Sequence, residues 1–146
     1  MKYTLHIDPE RDSEVIVYAQ ERNSFTDAIE QLVNAEKDYT PPLVGYIKDD
    51  IINIDPKDVF CFFIEDKKLY ASLKRGDALI KKRLFEVEKL LGLDFIKINQ
   101  SSIANLKLID HFSVSLGASL TVHFKNGRRD YVSRRHLKAV KERFGI

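Results

Sequence analysis

The sequence is poor in cysteine and has no long apolar run. Its single cysteine, Cys61, excludes an intramolecular disulfide, and because it lies between Phe60 and Phe62 we expect a packed thiol rather than a reactive one. No apolar stretch approaches the roughly 20 residues that a membrane-spanning helix needs. The N-terminus reaches acidic residues before any apolar run of signal-peptide length, so we expect a cytoplasmic protein.

The common catalytic motifs are missing as well. The sequence has no phosphate-binding glycine loop, no Cys-x-x-Cys pair, no His-Glu-x-x-His and no Gly-x-Ser-x-Gly. Its four histidines are far apart on different predicted elements, so a metal site would need a coincidence of the fold. We therefore expect no catalytic residue, no metal and no cofactor, and we do not expect an enzyme.

Charge is abundant and unevenly divided. Residues 1–73 carry 8 Lys and Arg against 15 Asp and Glu, a net charge of −7. Residues 74–146 carry 16 Lys and Arg against 7 Asp and Glu, a net charge of +9, so the total of +2 hides a basic half. Such a half suits a polyanionic partner, although a solvated lysine-rich surface would have the same composition.

Two successive prolines, Pro41 and Pro42, favour extended backbone and indicate a boundary near residue 40. The pattern before them predicts a β-β-α segment. Its elements are two strands, residues 3–8 and 14–19, and a helix with Asn23 or Ser24 as N-cap. A segment of about 40 residues is marginally stable alone, so it must pack on the remainder or on a second copy.

Residues 41–146 are typical of a mainly β domain with small helices at its edges. The predicted strands are residues 43–47, 51–54, 59–64, 69–73, 78–81, 95–98, 112–116, 120–124 and 131–132. Asn126-Gly127 is the strongest hairpin signal, because a type I′ turn needs positive φ at both central positions. The predicted helices are residues 83–91, closed by Gly92, and residues 134–144, opened by Ser133 and closed by Gly145.

Two basic clusters lie where helix stability alone would not select them. Arg134 and Arg135 occupy the first turn of a predicted helix, whose N-terminal end prefers anions by up to about 1 kcal/mol per charge. Lys81, Lys82 and Arg83 repeat the arrangement at the other helix. A phosphate backbone would relieve both clusters, and simple solvent screening is the alternative explanation.

A polar segment follows the predicted strand at residues 95–98. Lys97, Asn99, Gln100 and Ser101 bring a cation, two amides and a hydroxyl together after an apolar stretch. Amides can make paired hydrogen bonds to an adenine edge, and a serine can reach a base or a phosphate. The alternative is a hydrogen-bonded turn with a purely structural role.

Several segments with matching spacing resemble the LytTR DNA-binding domain. They are residues 95–105 (FIKINQSSIAN), 120–127 (LTVHFKNG) and 132–135 (VSRR), with the hairpin 59–73 and the helix 84–91 upstream. The resemblance covers residues 41–146 as one domain-sized unit. It implies LytTR-type antiparallel β-sheets that place loops, rather than a recognition helix, in successive DNA grooves, and therefore a bacterial transcription regulator.

The resemblance also implies which residues contact double-stranded DNA. They are Lys67 and Lys68 in the upstream hairpin loop, Asn99, Gln100 and Ser101 in the second loop, and Ser133, Arg134 and Arg135 at the start of the last helix. Lys97 joins them as a phosphate contact. We expect Arg135, Gln100 and Lys67 to read bases, and Lys68, Lys97 and Arg134 to hold phosphates. Gln100 stands where many members have a basic residue or Asn, which affects the preferred DNA sequence.

Partners follow from the same resemblance. We expect a homodimer, or paired monomers, on repeated DNA sites. Many members carry a phosphoacceptor receiver domain, but about 40 residues are too few for one, so we do not expect phosphorylation by a histidine kinase. The chain is similar instead to short stand-alone LytTR regulators, often encoded beside a small integral-membrane protein that inhibits them. Residues 1–40 would then serve dimerisation or docking of that inhibitor.

A second class of function remains open at the level of sequence. The β-rich body would suit an interaction module that binds a protein partner or single-stranded RNA. Tyr70, Phe112 and Tyr131 would then be exposed stacking platforms. The same aromatic residues are also typical of packed strands.

Overall fold

A computed structural model describes residues 2, 4–38, 42–117 and 119–146. The chain divides into two units, Met1–Thr40 and Pro41–Ile146. Within the described ranges, no helix has both the length and the apolar composition needed to cross a membrane.

The first unit contains one helix, α1, Ser24–Asp38. Asn23 caps it, because its side-chain oxygen accepts hydrogen bonds from the backbone N–H groups of Phe25 at 3.0 Å and Thr26 at 3.1 Å. A reciprocal hydrogen bond completes the cap, because the hydroxyl oxygen of Thr26 accepts the backbone N–H of Asn23 at 2.9 Å. The predicted helix and its Asn23 cap are therefore confirmed.

The two strands predicted at residues 3–8 and 14–19 are wrong for the described part of this segment. Residues 4–20 form no β-ladder there, and their side chains are exposed, including Ile7 at 84% and Tyr18 at 93%. Alternation of apolar and polar residues favours a strand, but a short hairpin is marginal without further strands or a helix to cover its apolar face. Nothing in the described part of this unit supplies that cover, so the observed fold of the segment is coil followed by helix.

The described residues of the second unit form ten strands, two α-helices and two short 3-10 helices, Pro56–Asp58 and Leu106–Leu108. The strands are β1 Leu43–Ile47, β2 Asp50–Ile54, β3 Cys61–Glu65, β4 Lys68–Leu73, β5 Gly76–Ile80, β6 Phe95–Asn99, β7 Ser102–Asn105, β8 Ile109–Val114, β9 Leu120–Phe124 and β10 Arg129–Val132. The helices are α2 Leu84–Leu90 and α3 Arg134–Phe144. The mainly β fold with small helices is confirmed.

The strands form two antiparallel sheets. Sheet A has seven strands in the order β2-β1-β5-β4-β3-β7-β6, and sheet B has three in the order β10-β9-β8. Sheet A has a hydrophobic core on each face. Phe62 of β3 packs into the core that contains Val87 of α2. Cys61 and Phe63 pack into the other core, with Val140 of α3 and the inner face of sheet B.

Burial on both sides explains why β3 is apolar almost throughout instead of alternating. The thiol of Cys61 is completely buried, and this burial raises its pKa to about 12. The thiol is therefore packed and uncharged, as its sequence neighbours predict.

Two hairpin turns differ from the prediction in their backbone conformation. At Asn126-Gly127 only Gly127 has positive φ, 87°, and its N–H donates to the carbonyl of Phe124 at 2.9 Å. The loop is thus a type I turn followed by a glycine bulge, and the predicted type I′ turn is wrong at this position. The turn with positive φ at both central residues lies instead at Asp66 and Lys67, with φ of 49° and 63°.

Aspartate tolerates a left-handed backbone, but Lys67 has no special freedom to adopt it. A left-handed backbone costs a residue with a β-carbon roughly 1–2 kcal/mol, which is why sequence rules look for Asn-Gly rather than Asp-Lys. The pairing of Glu65 with Lys68 across the turn enforces it. The lysine is therefore held at the tip of a tight hairpin in a disfavoured conformation.

We predict that Lys67→Gly raises the free energy of unfolding by about 0.5–1 kcal/mol, because glycine relieves the left-handed strain but also gains freedom in the unfolded chain. Urea denaturation measures the change. Lys74→Gly, in the neighbouring hairpin where φ is not positive, is the matched control and should lower stability. Equal effects of the two substitutions would contradict the strain at Lys67.

Candidate nucleic-acid interface

Two of the predicted contact segments meet at one end of sheet A. Strand β3 pairs Glu65 with Lys68 of β4 and Phe63 with Ser102 of β7, so the β3–β4 turn and the β6–β7 loop leave the sheet at the same end. The backbone N–H of Ile64 donates to the carbonyl of Ser101 at 2.9 Å and joins them. We call this end of sheet A, with Lys67, Lys68 and residues 99–101, the site edge.

The third predicted segment is attached to the same edge through backbone. The N–H of Ser133 donates to the carbonyl of Ile98 at 2.9 Å, one residue before the β6–β7 loop begins. Helix α3 therefore starts beside that loop. Arg134 and Arg135 occupy its first turn, and both are exposed.

Asn99, at the start of the β6–β7 loop, fixes the shape of the loop through hydrogen bonds. Its side chain is buried, with 1% of its surface exposed. The amide nitrogen donates to the Asp130 carboxylate at 3.2 Å and to the carbonyl of Tyr131 at 2.9 Å, while the amide oxygen accepts the backbone N–H of Ser101 at 2.8 Å. Asn99 therefore shapes the loop and does not present its amide to solvent.

The neighbours of Asn99 in the loop are available for contact. Gln100 is exposed, and its side chain makes no hydrogen bond within the described residues. Ser101 and Lys97 are half-buried. The loop thus combines an internal amide that fixes its shape with an adjacent amide that faces solvent.

Ser133 is half-buried and occupies the N-cap position of α3 without capping it through its side chain. Its hydroxyl lies 2.6 Å from Nδ1 of His136. Burial, followed by the positive charges of Lys97 and Arg135, lowers the pKa of His136. This contact between the hydroxyl and Nδ1 positions His136 against the start of the helix.

The cations at the site edge lack internal partners. In the part of the chain that the structure describes, ion pairs form elsewhere and involve none of these side chains. The basic residues of the site edge and of the segments beside it that form no ion pair among the described residues are Lys67, Lys68, Lys81, Lys82, Arg83, Lys97, Arg129, Arg134 and Arg135. A concentration of unpaired positive charge on one edge suits a polyanion.

Strand β10 supplies two residues that the sequence analysis missed, Arg129 and Asp130. With Tyr131, Asn99 and Ser101 they line a groove of about 280 Å³. The basic pair Arg128-Arg129 directly after the Asn-Gly turn was the available signal. Asp130 carried no such signal, because its role depends on Asn99, which lies 31 positions earlier in the chain.

Arg128, the first residue of that basic pair, joins the two sheets. Its guanidinium carbon lies 3.4 Å from the ring centroid of Phe63, and one of its nitrogens lies 3.6 Å from the Asp77 carboxylate. In the same hairpin loop, the amide of Asn126 donates to the hydroxyl of Ser72 at 3.0 Å. These contacts hold the β9–β10 hairpin against sheet A and fix β10 beside the site edge.

The second unit is β-rich, and the described part of it gathers unpaired cations and an exposed amide at one edge. The LytTr DNA-binding domain family matches residues 49–145 of this chain. The chain belongs to the LytTR family of DNA-binding domains.

Known proteins resemble both the whole chain and the second unit. Uncharacterized HTH-type transcriptional regulators of Staphylococcus aureus, from strains MSSA476 and N315, are each 33% identical over 147 residues, covering 100% of this chain and 99% of the relative. A solved LytTr DNA-binding domain from Bacillus cereus has a TM-score of 0.68 at 24% identity, over 74% of this chain and 100% of that domain. At that identity the solved domain shows the fold.

We predict that substitutions of two adjacent amides change stability by very different amounts. Asn99→Ala removes a buried group with three hydrogen bonds and should lower the free energy of unfolding by about 1–3 kcal/mol. Gln100→Ala, at an exposed position, should change it by less than about 0.5 kcal/mol. Denaturant unfolding of both variants measures the difference. A stable Asn99→Ala protein would show that the loop does not depend on this side chain.

Proposed function

We propose that this protein is a sequence-specific, double-stranded DNA-binding transcriptional regulator that inserts the loops of its site edge into DNA grooves. The observation that carries the proposal is the convergence of three separate segments at one edge. The hydrogen bonds from Ile64 to Ser101 and from Ser133 to Ile98 bring the β3–β4 hairpin, the β6–β7 loop and the start of α3 together. Membership of the LytTR family supports DNA as the ligand.

The relatives in Staphylococcus aureus are named transcriptional regulators, which supports a regulatory role rather than an enzymatic one. They are also named HTH-type. In the described ranges of this chain five strands separate α1 from α2, and five more separate α2 from α3, so no two helices are joined by a short turn. Loops are therefore the elements that we expect to enter the grooves. A protein acting on chromosomal promoters would work in the cytoplasm.

The proposed roles follow exposure and chemistry. Arg135 and Gln100 are exposed and can form paired hydrogen bonds to base edges, and Lys67 at the hairpin tip is the third candidate for base contact. Lys68, Lys97 and Arg134 would hold phosphates. For the remaining predicted residues, internal hydrogen bonds favour positioning roles: Asn99 and Ser133 shape the interface, and Ser101 offers its hydroxyl beside them.

Single-stranded RNA is the less favoured ligand. Of the three aromatic residues considered as stacking platforms, Tyr70 stacks on Phe63 with centroids 5.5 Å apart, and Phe112 packs edge-on against Phe144 at 4.7 Å. Only Tyr131 is largely exposed, at 58%. One exposed ring does not form a platform for successive bases.

The first unit supports a homodimer. The unit leaves large apolar side chains exposed, among them Val15, Phe25 and Leu32. Exposed apolar surface of this kind is typical of association sites. A second copy on a repeated DNA site is the partner that we propose, and the small integral-membrane inhibitor implied by the resemblance stays a prediction.

We predict that Arg135→Ala weakens binding to the preferred duplex by about 1–3 kcal/mol and relaxes sequence preference, because the guanidinium contacts a base edge. Lys97→Ala should instead weaken all sequences alike and reduce the slope of log affinity against log salt by about 1. Competition binding on a selected duplex and its scrambled version measures both effects.

Lys107→Ala is the control for these measurements, since its ammonium group is paired with Asp94 at 3.5 Å. Equal loss on preferred and scrambled DNA for Arg135→Ala would remove it from base readout. A preference of the full chain for single-stranded competitors would overturn double-stranded DNA as the ligand.

For the dimer we predict that the full chain elutes in size-exclusion chromatography at twice its mass, and that residues 41–146 alone elute as a monomer. Leu32→Glu in the full chain should also give monomers, because Leu32 is 71% exposed on α1 and the charge would oppose apolar contact. Monomers of all three proteins at high concentration, or dimers of all three, would rule out dimerisation through the first unit.

A further inference from the structure

A second basic surface adjoins the β3–β4 turn. Lys67 and Lys68 line a groove of about 420 Å³ together with Lys81, Lys82 and Arg83, which follow β5. The pairing of Leu69 in β4 with Ile80 in β5 places the start of one strand beside the end of the other. Two clusters that are thirteen residues apart in the sequence are therefore joined in one groove, which we call the basic groove.

The basic groove has five cations and one carboxylate. Glu86 is that carboxylate, and it accepts the backbone N–H of Arg83 at 3.1 Å. None of the five cations forms an ion pair within the described residues. The ammonium of Lys81 lies 4.3 Å from the ring centroid of Tyr46, which holds it over an aromatic face without neutralising it. Like charges gathered this closely favour an anionic occupant.

The position of the basic groove indicates which part of a duplex it would meet. In sheet A, β5 is separated from β7 by β4 and β3, so three strand spacings of about 4.8 Å give about 14 Å between the β5 end and the β6–β7 loop. For a duplex whose axis runs across the strands of sheet A, that distance corresponds to about four base pairs at 3.4 Å each. The groove thus lies beside the base pairs that Gln100 would read, not over them.

Apart from Lys67, which is a candidate for base contact, the cations of the groove suit backbone contact. Lys68, Lys81 and Lys82 have flexible stems and compact charges that match phosphates without selecting a base. Lys81, Lys82 and Arg83 are all exposed. A continuous sugar–phosphate strand would neutralise several of them at once.

We propose that Lys81, Lys82 and Arg83 bind the phosphate backbone of the same duplex about four base pairs beyond the position of the β6–β7 loop, so that the protein contacts more DNA than it reads. This inference rests on the proposed function and extends it. It adds a sequence-independent contact to the three segments that the family resemblance implies.

The test uses the full chain and a DNA duplex that this chain selects from a random pool. The duplex is prepared in a long form and in two shorter forms, each trimmed at one flank. The groove variant carries Lys81→Gln, Lys82→Gln and Arg83→Gln together. The matched control carries Lys74→Gln and Arg75→Gln, which remove cations from the β4–β5 turn at the opposite end of the same strands. Affinity is measured over a salt series, and thermal unfolding checks that each variant is folded.

On the long duplex we expect the groove variant to lower the slope of log affinity against log salt by about 2–3, close to 0.9 for each phosphate that the variant no longer neutralises. The ratio of affinities for selected and scrambled DNA should stay unchanged. Trimming one flank should abolish the difference between the groove variant and the wild-type chain. The control variant should keep the wild-type slope.

Two results would overturn the inference: an unchanged slope for the groove variant, or an equal loss in the control variant, which would indicate a general effect of net charge. If the triple variant unfolds, Lys81→Gln and Lys82→Gln are measured singly, with an expected slope change of about 0.9 each. Failure of the proposed function is separate, because it would appear as no sequence preference in the selection, whatever the groove variant does.

Discussion

The carboxylate of Asp130 holds the site edge together. It accepts the amide of Asn99, the hydroxyl of Ser102 at 2.5 Å and the N–H of Tyr131 at 2.8 Å. Asp130 belongs to sheet B, whereas Asn99 and Ser102 flank the β6–β7 loop of sheet A. One charged group therefore sets the shape of the loop and its distance from the neighbouring sheet. Charge-assisted hydrogen bonds of this kind are the stronger ones in proteins, so the loop is organised before any ligand arrives.

Sheet A gives this arrangement its rigidity. Because β3 is buried on both faces, the strand cannot slide or tilt without disturbing both cores. Its end carries the β3–β4 turn, and its pairing with β7 fixes the β6–β7 loop beside it. The exposed polar and basic side chains of the site edge thus lie at the ends of well-packed strands, an arrangement that limits the conformational entropy that binding a ligand costs.

The sequence predicts the fold of residues 41–146 well, because its strands have local signals: apolar runs between turn residues, with Gly145 closing α3 at φ 68°. It fails where structure depends on distant partners. The strands expected near Ile7 and Tyr18 lack a covering surface in the described part of the first unit. The positive φ of Lys67 follows from strand pairing and not from turn propensity. In the site, Gln100 and Arg135 can be recognised from the sequence as exposed polar residues. The internal role of Asn99 cannot be predicted, because its partner Asp130 is 31 positions away in the chain.

The adjacency of Asn99 and Gln100 has an evolutionary consequence. Two adjacent residues have separate roles. The amide of Asn99 makes internal hydrogen bonds that set the shape of the loop, whereas the amide of Gln100 makes none within the described residues. Substitutions at Gln100 therefore leave folding stability almost untouched while altering what the loop presents. Under the base-reading role proposed for Gln100, a single amino-acid change would therefore give a new target sequence, and divergence of binding sites would not require divergence of the fold.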